Sequence, residues 1–458
     1  MGSPNATDSR VISSSVSRRK IIQSGAAATA ALAAAPIIQG QVKPLRVGFV
    51  GVGGRGTGLL RQLLRLDNIA VPAISDINPQ NLARAQKLVS DTGLKNPEGY
   101  SSSETDFEKL CQREDLDLVL TATPWQWHAP ICIAAMKAGK HAATEVPAAL
   151  TVEECWQLVD TSEQTGKHCV MLENDCYYRE TLMVLKMLRE GVLGEPLFAE
   201  GGYMHDLRAV KFNTVPNGEP WRLEHTIKRN GNLYPTHPIG PISWWLDINR
   251  GDRYTSLTSM SSRGGAMNEF AERTWGKDDW RTKTVYQQGD VNTSILRTAQ
   301  GRLVHLVYDT NTPRVKEHIT RFQCSKGVYS HMMGKMFIDG ASLRGGESDD
   351  DEGWRNRNMW EDAEPYRQKY ESQLWKDKGP TASSSGHGGV DYMLIYRLVK
   401  RLQAGLAPDM DVYDAAAWSA IFPISEASVA QRSALQEFPD FTRGKWSSRP
   451  AINPDEIV

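Results

Sequence analysis

The 458-residue chain has almost no net charge. Its 53 lysines and arginines face 54 aspartates and glutamates, giving −1 with histidine neutral. Without a basic field to neutralise phosphates, a nucleic-acid partner is not expected. Cysteine is scarce, with 6 in all and no two in a Cys-x-x-Cys pair. So few thiols in so long a chain argue against a disulfide framework, so free buried thiols are expected, and no metal. Long apolar runs are also missing. Beyond the N-terminal leader, nothing is long and clean enough to span a bilayer, so no membrane span is expected once the leader is removed.

The leader reads "SRRKIIQSGAAATAALAAAPIIQG" from Ser17 to Gly40. Arg18 and Arg19 precede a weakly hydrophobic, alanine-rich run, and Ala33–Ala35 offer small residues for a signal peptidase. The pattern resembles a twin-arginine export signal, with Ile21 where phenylalanine is more usual. Export to the periplasm or the extracellular space is the expectation, and residues 1–40 are set apart from the fold.

What is present begins at Pro44. Arg46–Val50 is a short apolar β-rich run, followed by Gly51, Gly53 and Gly56 in the spacing G-x-G-x-x-G, with Arg55 inside the turn. Leu59, Leu60, Leu63 and Leu64 then recur at helical spacing. Strand, glycine turn and helix in that order form the dinucleotide fingerprint, in which backbone and helix N-terminus approach a pyrophosphate. A second strand ends at Asp76, about twenty residues past the last glycine, where a carboxylate meets ribose hydroxyls and repels a 2′-phosphate. NAD is therefore the expected cofactor. Further β and α units follow to about Asn174, which argues for a doubly wound parallel sheet. Ligands bind at the carboxyl ends of such strands, and those ends hold Trp125, Gln126, Trp127, His128, Glu145, Val146 and Asn174.

Past Asn174 the rhythm changes to longer strand-like segments with turns such as "TAQGR". The expected architecture is α/β. A Rossmann domain spans 41–175, and a second α/β domain spans 176–458, with an open, mostly antiparallel sheet and C-terminal helices packing back. The charge-, Trp- and Gly-rich stretch 345–389 reads as irregular loop.

The stretches "TPWQWHAPI", "EVPAA", "LENDCYYRE", "GGYMHDLR", "WRLEHTIKRNGNLYPTHPIGPI", "LDINRGDR" and "GHGGVDYM" carry a resemblance to the Gfo/Idh/MocA oxidoreductase superfamily. Within it, they are more similar still to glycoside hydrolase family 109, known for NAD-dependent α-N-acetylgalactosaminidases. The resemblance covers nearly everything after the leader. It implies net hydrolysis without net redox change. NAD+ oxidises the sugar C3 hydroxyl, the acidified C2 proton leaves with the C1 group, water adds at C1, and C3 is reduced again. The paired carboxylates of most glycosidases are not needed for this route.

In the superfamily a lysine follows the glutamate of "EVP"; here that position is Val146, which cannot carry a proton. An aspartate often found four residues before the superfamily histidine is Leu233 here, while the histidine itself remains as His237. The resemblance makes His237 the first acid–base candidate, its ordinary pKa suiting both roles. Tyr177 is either a proton shuttle or a core tyrosine. Tyr203 and Arg222 match sugar-contacting positions, and Tyr234, Pro235, Thr236 and His237 match a loop reaching sugar and cofactor. Trp125 and Trp127 either flank the nicotinamide or fill the core, and His387 sits either in the mouth of the site or in a structural turn. Lys316 stands near the place of a family tyrosine that touches substrate, which leaves the sugar and its leaving group open. A glycoside is the expected substrate and a homo-oligomer is compatible with the resemblance. The rival reading is a secreted sugar or inositol dehydrogenase of the same superfamily.

Overall fold

The computed structural model describes residues 43–215, 218–317, 319–340 and 359–456; the expected export segment lies outside them. Two sheets carry the described chain. The first has strands β1 (Leu45–Val50), β2 (Ile69–Ser75), β3 (Glu98–Tyr100), β4 (Leu118–Thr121), β5 (His141–Thr144) and β6 (Cys169–Met171). They run in the order β3-β2-β1-β4-β5-β6, and every neighbouring pair is parallel. β1 and β4 are almost wholly buried along their length because helices cover both faces.

Local signals set the helices between these strands. The helix Val152–Thr165 starts at Thr151, whose side chain accepts from the Glu154 backbone N–H at 3.0 Å, and stops at Gly166 with φ of 65°. The helix His128–Lys137 ends before Gly139, again left-handed at φ 82°.

The second sheet holds β7 (Pro196–Met204), β8 (Tyr254–Ser261), β9 (Asn292–Thr298), β10 (Leu303–Asp309), β11 (Thr320–Cys324), β12 (Gly327–Ser330), β13 (Lys335–Ile338), β14 (Glu361–Asp362) and β15 (Gln436–Glu437). Their order is β14-β13-β12-β11-β7-β10-β9-β8-β15, antiparallel throughout except for the central pair β7–β10. "TAQGR" forms the β9–β10 hairpin, with Gly301 at φ 80°. Burial along β9 alternates, as expected of a sheet with one open face.

The closing helices tie the two sheets together. Val412–Ala430, opened by a capping box between Asp411 and Asp414, packs on helix Val152–Thr165, β6 and β8. Val390–Gln403 packs on the helix Gly54–Leu63 that follows the glycine turn. All six cysteines are free and buried, as expected. No helix among the described residues is long and apolar enough to cross a membrane.

One expectation fails. The described part of stretch 345–389 is not irregular loop: it holds helices Glu364–Tyr370 and Gln373–Ala382. Ser372 caps the second through the Trp375 backbone N–H, and the buried Trp375 donates its Nε1–H to the Tyr177 carbonyl at 2.8 Å. That long-range anchor is invisible in a composition dominated by charge, Gly and Ser.

Candidate active site

A cavity of about 1000 Å³ opens at the carboxyl ends of the parallel strands. Five of the six strands contribute to its wall: the glycine turn after β1, Asp76 after β2, Trp125–His128 after β4, Glu145 and Val146 after β5, and Asn174 after β6.

The glycine turn is shaped by close approach. Gly51 has φ of 80°, and a Cβ there would stand 2.9 Å from the Ala122 carbonyl oxygen. A Cβ on Gly56 would fall 2.0 Å from the Gly51 carbonyl oxygen, so Gly56 serves the packing of helix on strand and does not itself line the cavity. Gly53 lines it, with only Asn81 Nδ2 near a hypothetical Cβ, at 3.9 Å. Asp76 faces the same space; its two oxygens accept from the backbone N–H groups of Val52 at 2.7 Å and Asn78 at 2.8 Å, which fixes the carboxylate. Asn174 donates to Asp391 at 2.9 Å, while its own Oδ1 is buried without a partner among the described residues. This cradle, with a fixed carboxylate and an unspent amide acceptor, fits a dinucleotide.

Arg55 leaves the turn to bond Glu145 at 2.6 Å and Asp391 at 2.7 Å. Asp391 also accepts from His387 at 2.8 Å. Desolvation opposes the Asp391 charge, but hydrogen bonds from His387 and Arg55 hold its carboxyl well below the usual range. His387 therefore belongs to the cavity mouth. His128 is buried, its ring nitrogens 2.7 Å from the Pro147 carbonyl and 2.8 Å from that of Thr123, so it clamps two strand ends together. Trp127 lines the cavity and meets Phe107 edge-on.

The opposite wall is aromatic and cationic. Trp125 stacks on Tyr234 with centroids 5.5 Å apart, and Tyr203 meets Tyr234 at 4.7 Å. Arg222, ion-paired to Glu219, lies over Trp125 at 4.9 Å and Tyr234 at 5.0 Å. Tyr203, Arg222, Tyr234, His237 and Lys316 all face the cavity.

His237 is the second residue of the helix Thr236–Trp245. Its Nδ1–H donates to Glu173 Oε1 at 2.8 Å, and Asp175 Oδ1 is 3.9 Å away. Glu173 is fully buried, and its Oε2 has no partner among the described residues. The helix makes room for it at Gly240, where a Cβ would stand 2.6 Å from Glu173 Cγ. Burial pulls the His237 pKa down, but the Glu173 and Asp175 carboxylates outweigh it and raise it to about 9. Burial likewise pushes Glu173 up, so the pair holds a proton at neutral pH.

Three expected residues are placed elsewhere. Tyr177 is buried away from the cavity, donating its hydroxyl to Asp409 at 2.9 Å and packing edge-on to Trp244; the next residue, Tyr178, lines the cavity instead. The chain turns sharply at 174–177, so the first tyrosine of "CYYRE" points into the core. Pro235 and Thr236 are buried at the helix start and present His237 without lining the cavity themselves. Glu173, Tyr178, Glu219 and Asp391 went unnoticed in the sequence. Only the tyrosine doublet and the Asp in "GHGGVD" offered any signal. The fold also brings ligand atoms of Glu173, Asp175 and His237 within 4.8 Å of one another, a set that could hold a metal although none was expected. His237 Nδ1 is already used by Glu173.

Solved structures share the fold. Levoglucosan dehydrogenase in complex with NADH and levoglucosan matches with a TM-score of 0.62 at 19% identity, covering 87% of this chain and 100% of that one. An inositol dehydrogenase homolog from Azotobacter vinelandii, complexed with NADH and myo-inositol, matches at 0.60 and 17%, covering 86% and 98%. Residues 45–173 match the model of the oxidoreductase family with NAD-binding Rossmann fold. The chain is thus an NAD-binding protein of that fold. Residues 177–448 match the glycosyl hydrolase 109 C-terminal domain. A glycosyl hydrolase family 109 protein of Solibacter usitatus is 41% identical over 411 residues, 89% of this chain and 90% of its own. Another from Shewanella pealeana is 42% identical over 422 residues, 91% and 90%. The chain belongs to glycosyl hydrolase family 109.

Proposed function

We propose that this enzyme hydrolyses glycosides of the α-N-acetylgalactosaminide type by reversible oxidation at C3, elimination across C1–C2 and addition of water. The observation that carries this reading is His237, backed by the buried Glu173, facing the same cavity as the dinucleotide cradle. Bound NAD supplies a reversible two-electron oxidation of a ring carbon. The protein's part is then to hold the sugar, exclude bulk water and move protons.

His237 meets the proton requirement. With Nδ1–H committed to Glu173, the imidazole faces the cavity, where it can exchange a proton with a sugar oxygen or carbon, and the buried carboxylate stabilises the imidazolium. Arg222, set against aromatic rings and paired with Glu219, presents a rigid donor fork to hydroxyls or an N-acyl oxygen. Three of the cavity carboxylates are committed to arginines: Glu145 and Asp391 share Arg55, and Glu219 is taken by Arg222. Val146, buried against the cavity, offers no proton to a simple alcohol oxidation.

The test is a panel of p-nitrophenyl glycosides, α and β, galacto and gluco, with and without N-acetyl. Turnover of one of them by the purified protein with no added cofactor supports the reading. NADH accumulating in step with substrate consumed would instead establish a sugar dehydrogenase.

A further inference from the structure

A second cavity, of about 400 Å³, adjoins the first. The two share Asp175, Tyr178, His237 and Lys316, so His237 stands at their junction. No residue of the glycine turn, and neither Asp76 nor Glu145, lines the smaller one. It lies instead against the second sheet: Thr320 comes from β11, Tyr329 from β12 and His331 from the turn that follows.

A glycoside has two parts with opposite needs. The ring that is oxidised must lie against the cofactor, and the group that leaves must extend away from it. The geometry points to the smaller cavity as the subsite of that leaving group, and to a saccharide as its occupant. This inference rests on the hydrolase reading above.

The lining chemistry selects the occupant. Tyr178 and His331 form an aromatic flank, with centroids 6.2 Å apart and planes inclined by 44°. Such faces stack on the C–H side of a sugar ring. The same cavity is lined by groups that satisfy hydroxyls: Thr320, Lys316, and the carboxylates of Glu180 and Glu317. Each carboxylate is held in place by an arginine, Glu180 by Arg367 at 2.9 Å and Glu317 by Arg314 at 2.5 Å. An alkyl chain would bury these polar groups without compensation. A phosphate would meet the carboxylates of Asp175, Glu180 and Glu317 on its oxygens, where a hydroxyl can donate. A neutral hydroxyl-rich ring donates to the carboxylates, accepts from Lys316 and does both with Thr320. The volume lies within the range of small-ligand sites. At the rim Met332 is 50% exposed, an apolar side chain held out of the core beside the opening.

The experiment compares two substrates sharing the glycone found in the panel: a methyl glycoside, whose leaving group is too small to reach the second cavity, and a disaccharide. It uses the full chain as purified, with kcat/KM measured for wild type, His331→Ala and Met332→Ala. Removing one stacking face should lower kcat/KM for the disaccharide about tenfold in His331→Ala, while the methyl glycoside changes by less than about twofold. Met332→Ala, at an exposed site that does not endanger folding, should give a smaller loss with the same selectivity. Equal losses on both substrates, or none on either, overturn the subsite while leaving the hydrolase reading intact. Failure of the wild type to hydrolyse either substrate without added cofactor overturns both.

Discussion

The two walls of the active-site cavity are built on different plans. The cofactor wall is made by backbone and neighbours in sequence: glycines that let strand and helix touch, and Asp76 held by the backbone N–H groups of Val52 and Asn78. The substrate wall is made by side chains brought from afar. His237 meets Glu173 across 64 residues, and Arg222 lies over both Trp125 and Tyr234. A wall of the first kind withstands single side-chain losses on the other side. A wall of the second kind fails when one partner is removed, because the other is left buried and unpaired.

The sharpest way to separate the walls is His237→Ala. Loss of a positioned acid–base group should reduce turnover by roughly 10²- to 10⁴-fold, with NAD content after gel filtration unchanged. A variant that loses its NAD would show that the two walls are not independent. The mirror experiment is Asp76→Ala, which should weaken NAD retention roughly ten- to hundredfold while circular dichroism and Tm show a folded protein. Full NAD occupancy in this variant would break the assignment of the cofactor wall.

Glu173→Gln should sharpen the account of the substrate wall. The His237 pKa is raised above its ordinary value to about 9 by carboxylates that outweigh burial. Removing the nearest negative charge leaves the burial effect to act, so the pKa falls. The limb of the kcat/KM profile governed by His237 should then move toward acid by about one unit or more, with NAD retention unchanged. A purely structural Glu173 would lower Tm without moving that limb. The smallest effect on either wall is expected from replacing Arg18 and Arg19 together: turnover stays as in wild type, while the protein remains in the cytoplasm. Unchanged export of the double variant would remove the twin-arginine proposal.

The same contrast explains what the sequence made legible. The glycine spacing, Asp76 and the alternation of strand and helix are local patterns, and they led to the parallel sheet, the cofactor and most of its cavity residues. The second sheet was visible through its hairpins, such as the one at Gly301. Of the two readings of Tyr177, the core one holds and the proton shuttle does not, because side-chain direction in the short turn 174–177 is set by packing against Trp244 and Asp409, which lie far along the chain. Glu173 was overlooked for the same reason: a glutamate beside an asparagine carries no sign that a histidine helix with a glycine at position 240 will close over it. The helices at Glu364–Tyr370 and Gln373–Ala382 were hidden by composition, since their anchor is a single tryptophan bonded to a distant carbonyl.

The central claim is that both walls serve one reaction, in which C2–H is broken and remade during hydrolysis. Turnover in deuterated water, with the released sugar examined by mass spectrometry and NMR, tests it most directly. The account predicts deuterium at C2, in full or in part according to how completely His237 exchanges its proton with solvent between removal and return, and a primary isotope effect with substrate deuterated at C2 or C3. An oxocarbenium route with two carboxylates never breaks those bonds. Hydrolysis that leaves C2 unlabelled and shows neither isotope effect would contradict the account.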